Sequence, residues 1–122
     1  RVVELKHAHG FVFDVPHDRA SSAEPLLAMG QRLHEAAAVH VASGDVYLTE
    51  DLRPRAGFYR FVPDVPGQLQ RGGSLWMLKA KGAADLRRGH RAGDRFAVEW
   101  VRIEHPERGI GPDGEPDGNV RE

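Results

Sequence analysis

Hydrophobic positions along the chain fall in short runs, each broken by glycine, proline or a charged turn, and none sustains a helical face. Val2 to Leu5 is a first apolar run with the length of a short strand. After Gly10, Phe11, Phe13 and Val15 alternate with Val12 and Asp14, and Pro16 stops the run. Such alternation places one set of side chains on each face of a strand. Residues 17–25 are polar and turn-rich, and Leu26 to Gly30 reads as a helical turn or connector. Ala36, Ala37 and Ala38 have high helix propensity. Yet Val39 and Val41 share a face opposite His40, and Ser43-Gly44 is a turn pair followed by a second strand-like run, Asp45 to Glu50. This predicts a β-hairpin over 33–50 instead of a helix.

Further strands are predicted over 57–62, 74–79 and 95–103. In the first, Phe58 and Arg60 take one face and Tyr59 and Phe61 the other. In the last, Phe96, Val98 and Trp100 alternate with Ala97, Glu99 and Val101. Residues 52–56, 63–67 and 71–73 read as loops and turns, and 82–95 as a Gly- and Arg-rich connection with room for one short helical turn. From His105 onward Pro, Gly, Asp and Glu dominate, and such a stretch buries too little apolar surface to offset its ordering entropy. The expectation is a mainly β chain of antiparallel strands over 1–104, with a loop or disordered tail over 105–122. Short strands at this spacing suit sandwiches, barrels and propeller blades alike.

Composition narrows the function classes. The 122 residues carry 17 basic and 18 acidic groups, a formal net charge of −1, which gives no global attraction to nucleic acid or acidic membranes. Mean hydropathy is −0.50, and no apolar stretch reaches the roughly 18 residues of a membrane-spanning helix. No signal peptide is visible. The chain opens on Arg1 rather than Met, so a piece of a longer polypeptide is expected. With no cysteine, thiolate metal sites, disulfides and cysteine nucleophiles are excluded from these residues. Fourteen of the basic residues are Arg; a GC-rich genome accounts for this, and arginine also suits bidentate phosphate binding.

Several constellations have chemical possibilities beside plainer readings. His34-Glu35 precedes small residues that permit close backbone approach, and a carboxylate there suits a hard cation; the plain reading is a hairpin with one solvated Glu. Glu50-Asp51 places two carboxyl groups where a strand runs into a loop; adjacent strand residues reach one ion only if the strand ends there, and a polar turn is the simpler explanation. His7 and His9 would share a strand face but lack a third metal ligand. Arg87-Arg88-Gly89-His90-Arg91 could hold phosphate or be a solvated loop. Asp113 to Gly118 echoes an EF-hand loop, but Pro116 and the missing terminal Glu argue against one. No nucleophile elbow, P-loop or dinucleotide fingerprint is present.

Read in order, three stretches resemble one family. His9-Gly10-Phe11-Val12-Phe13-Asp14-Val15 resembles the HGW-x-(V/F)-E-V strand of PhoX-like alkaline phosphatases. Gly30 to Ala37 resembles their GRF-x-HE-(G/A)-A stretch, with Gln31 inserted into the Gly-Arg pair. Val46 to Asp51, followed by Gly57 to Val62, resembles VY-x-(T/G)-(E/D)-D and YRFV. The resemblance spans about residues 7–63. It implies part of a β-propeller, hydrolysis of phosphomonoesters, calcium and iron as cofactors, and export to the periplasm or beyond. It further implies Glu35, Asp51 and Glu50 as metal ligands, Arg32 as the group neutralising the phosphoryl charge, and a supporting role for His34. The family's Cys- and Glu-rich motif is absent from these residues, so a partial site is expected, inactive by itself. The partner implied is a phosphomonoester, with no nucleic acid or membrane. Competing readings are a propeller hydrolase or lactonase of different chemistry and a non-enzymatic binding or structural propeller.

Overall fold

The computed structural model describes residues 10–14, 24–83 and 85–108. The expected strand at 2–5, the His7–His9 pair and the acidic stretch 113–118 lie outside these residues. Seven strands are present among them. β1 (Phe13–Asp14) and β2 (Glu24–Pro25) form a small antiparallel pair. β3 (His34–Val39), β4 (Val46–Glu50), β5 (Phe58–Pro63), β6 (Gly73–Ala80) and β7 (Val98–Ile103) form one five-stranded sheet. The sheet is an antiparallel meander in the order β3-β4-β5-β6-β7, and it is open rather than closed. The mainly β, antiparallel expectation therefore holds.

Alternation decides the two faces, since residues paired across an antiparallel ladder point the same way. Val46 pairs with Phe61, Phe61 with Leu75 and Leu75 with Ile103, so one apolar row crosses β4 to β7. Leu48, Tyr59 and Met77 form the next row. Leu48 and Phe61 have no exposed surface. The connector before β3 covers this face: Leu26 and Met29 are buried in the same cluster, with Val12, Ala28 and Leu69 packed against it. Leu26 N–H donates to Val12 O (2.8 Å), which fastens the connector to the residues entering β1. Leu27–Met29 forms a single 3-10 turn, as the sequence allowed.

The opposite face carries Tyr47, Phe58 and Trp100, with ring centroids 6.0–6.3 Å apart. Arg60 lies on this face too, paired with the buried Asp45 at 2.6 Å.

The predicted hairpin forms, with β3 and β4 turning through Ser43-Gly44. His40 O accepts hydrogen bonds from Ser43 and Gly44 N–H, and Gly44 has φ +79°. A side chain at Gly44 would also press on Pro66, with a Cβ 2.9 Å from the Pro66 Cβ. The last strand starts at Val98, later than Arg95. The expected tail departs from the sheet after Ile103, but its first part is held. Pro106–Arg108 makes a 3-10 turn, and Pro106 O accepts from Gln31 N–H (3.0 Å). Residues 109–122 lie outside the described set.

Candidate functional site

Three consecutive elements meet where the connector passes into the sheet. Arg32 precedes β3 and makes a two-way backbone pairing with Gly10, N–H to O in each direction at 3.0 and 3.1 Å. His34 opens β3 and pairs with Glu50, the last residue of β4. A β-bulge between His34 and Ala36 shifts the register there. Because of it, His34 faces the core side with Glu50, while Ala36 pairs with Thr49 on the other face.

Glu50 is 5% exposed and Tyr59, on β5, is 3% exposed. Glu50 Oε2 accepts hydrogen bonds from Gly57 N–H (3.0 Å) and from Tyr59 O–H (3.1 Å). Gly57 belongs to the β4–β5 loop, so the carboxylate closes that loop onto the strand end. The guanidinium of Arg32, 4% exposed, lies 3.7 Å from the centroid of the Tyr59 ring. A cation over an aromatic face in a desolvated setting is favourable by about 2 kcal/mol. Two glycines make room for this stack. A Cβ on Gly30, at φ +88°, would collide with the Arg32 guanidinium, and one on Gly57 would collide with the Tyr59 phenol.

His34 Nε2 donates to Gly30 O (2.9 Å), and its Nδ1 is buried with no hydrogen-bond partner among the described residues. Burial holds the imidazole below its ordinary value of 6.5. The Gly30 carbonyl opposes this, the Arg32 charge pushes the same way as burial, and Glu50 opposes it. The result is a compact Arg–Tyr–Glu–His group that mixes both signs of charge, with Arg32, Tyr59 and Glu50 buried and His34 half-buried.

Of the residues expected from sequence, Arg32 and Glu50 come together through Tyr59, with His34 beside them. Glu35 and Asp51 take different positions. Both are exposed. Glu35 sits in the bulge, and Asp51 lies just past β4, its N–H donating to Leu33 O (2.8 Å). Among the described residues no group of three or more His, Asp or Glu side chains is arranged to hold a metal ion. Glu35 and Asp51 offer single carboxylates to such an ion, and Glu50 already accepts two hydrogen bonds.

Sequence reasoning placed Tyr59 on a strand without a role. The available signal is its alternation with Phe58 and Arg60, which puts it on the face of Phe61. Its partner nine residues upstream is set by hairpin register, which alternation alone does not give.

Fold and site together describe an antiparallel β-sheet unit with a polar cluster buried at one end. A model of the family described as alkaline phosphatase PhoX matches residues 1–120, and the chain belongs to that family. No curated protein and no solved structure matches it. The family places the chain among phosphatases, acting on phosphate esters. Among the described residues no helix is long and apolar enough to cross a membrane.

Proposed function

We propose that this chain forms part of a metal-dependent phosphomonoesterase, and that its five-stranded sheet is one unit of a β-propeller. The family match over residues 1–120 carries this reading. The open meander supports it, since an antiparallel sheet of this kind is the building unit of a propeller. Export from the cytoplasm belongs to the same proposal.

Arg32 keeps its proposed role toward the phosphoryl group in an altered form. At 4% exposure, stacked on Tyr59, it supplies a fixed positive field at the strand end. A preorganised charge in a water-poor setting stabilises developing negative charge more strongly than one in solvent. Glu50 and Tyr59 hold the β4–β5 loop beside it through Gly57. Calcium and iron remain part of the proposal, with Glu35, Asp51 and Glu50 as candidate oxygen donors. Among the described residues these carboxylates do not make a complete metal centre.

The test is hydrolysis of p-nitrophenyl phosphate by the protein carrying this chain, with a lactone and a phosphodiester as controls. Expected are turnover of the monoester, its loss after chelation, and recovery on adding calcium and iron. Arg32→Gln is expected to lower kcat/KM by about a hundredfold to a thousandfold, the loss typical of removing one preorganised electrostatic contribution. Lactone turnover without monoester turnover, or no dependence on metal, would refute the reading.

A further inference from the structure

The β4–β5 loop (51–57) and the β6–β7 loop (81–97) leave the sheet at the same end, the one at which Glu50 closes β4 and His34 opens β3. Arg87 Nη1 reaches Pro54 O at 3.5 Å, so the two loops lie against each other. Together they hold seven basic residues and three acidic ones, in a chain whose totals are 17 and 18.

The larger loop is internally braced. Asp85 accepts from Arg87 N–H (2.9 Å), Nε (2.7 Å) and Nη2 (2.7 Å). These hydrogen bonds hold its carboxyl at about 2, well below the ordinary range. Asp94 Oδ2 accepts from Arg91 N–H, and His90 meets the Phe96 ring edge-on at 4.8 Å. Lys81, with Lys79 at the end of β6, approaches Glu99 at 3.9 Å. What remains are Arg53, Arg55, Arg88, Arg91 and Arg95, all exposed and without an ion-pair partner among the described residues. Like charges on adjoining loops repel one another, and a bound anion relieves that repulsion.

We infer that these two loops form an electropositive rim that captures small phosphorylated anions and raises their concentration at the adjoining Arg32–Glu50 end. The inference rests on the phosphatase reading for its biological purpose, but it makes a binding claim that stands by itself. The rim selects by charge: monoesters and pyrophosphates with two or more negative charges are held, and neutral or singly charged esters are not. Arginine suits this because its planar fork meets phosphate oxygens bidentately.

The probe is inorganic pyrophosphate, titrated calorimetrically into the protein that carries this chain. Between about 20 and about 200 mM salt the screening length falls from about 20 to about 7 Å. Over that range the wild type is expected to bind about tenfold more weakly. The variant R53Q/R55Q/R88Q/R91Q/R95Q is expected to bind weakly at both salt concentrations, and R88Q/R91Q to fall between. Arg87 is left in place because it braces the loop. Amide shifts on titration are expected in residues 53–55 and 85–95.

A folded five-residue variant that binds as tightly as the wild type overturns the inference, as does salt-insensitive wild-type binding or shifts confined elsewhere. Should that variant fail to fold, R88Q/R91Q and the wild-type salt series decide. The two readings separate cleanly. Salt-sensitive pyrophosphate capture without monoester hydrolysis sinks the phosphatase reading and supports the rim. Hydrolysis without capture sinks the rim alone.

Discussion

Glu50 illustrates how one side chain links local sequence to the site. As the last residue of β4 it lies on the core-facing row of Val46 and Leu48, where a carboxylate is costly unless hydrogen-bonded. Gly57 N–H and Tyr59 O–H meet that need. Tyr59→Phe removes one of these donors and keeps the ring under Arg32, so a loss of about 1 kcal/mol is expected in denaturant titration. Glu50→Ala removes the acceptor for both donors and should cost about 1–3 kcal/mol or more. If the two substitutions cost the same, the carboxylate's role in closing the loop is wrong. His34 gives a pH prediction. Its imidazole binds protons less readily folded than unfolded, so the unfolded state takes up more of them below the ordinary value of 6.5. Its contribution to stability is therefore fully present above 6.5 and is lost as the pH falls below that value toward the lowered folded one. In His34→Gln, which can still donate to Gly30 O, the stability profile between pH 7 and 5 should be flatter than in the wild type, by urea midpoints read across that range. An unchanged slope would mean that burial does not control this histidine.

The β3–β4 hairpin draws on two independent constraints, the alternation of its strands and the geometry of its turn. Gly44 adopts a positive φ beside Pro66, so Gly44→Ala meets both a backbone penalty and a close contact. A loss of about 1–3 kcal/mol is expected, from strain of the kind that non-glycine residues suffer in this region. A thermal melt of the variant checks it, and an unchanged midpoint would place the turn's control elsewhere. Much of this hairpin was legible in the sequence: the Ser43-Gly44 turn, the strand over the alanines, and the return through Val46 to Glu50. The reason is that strand alternation and turn chemistry are local. The bulge at Glu35 was not legible, because an extra residue in one strand shows only when its partner is in register. Its consequence is large, since it decides that His34, and not Glu35, faces Glu50. Strand β7 begins three residues later than its alternation suggested, because Phe96 packs on His90 within the loop and does not extend the ladder.

At the scale of the whole molecule, one end of the sheet gathers a buried polar cluster and a set of exposed arginines. The buried Arg32–Tyr59–Glu50 stack and the exposed arginines of two loops converge there because an antiparallel meander returns every second connection to the same end. Monoester hydrolysis and pyrophosphate capture both test what that end does as a unit. The sequence by itself determined the mainly β character, the two-faced pattern of β5, and the family signature in Gly30 to Ala37 and Val46 to Val62. Each depends on residues that are neighbours along the chain. Only the tertiary structure decided that Tyr59 joins Arg32 to Glu50, that Glu35 and Asp51 are exposed, and that Arg87 reaches Pro54. Those contacts depend on pairing register and on where loops leave the sheet, and a linear pattern carries neither.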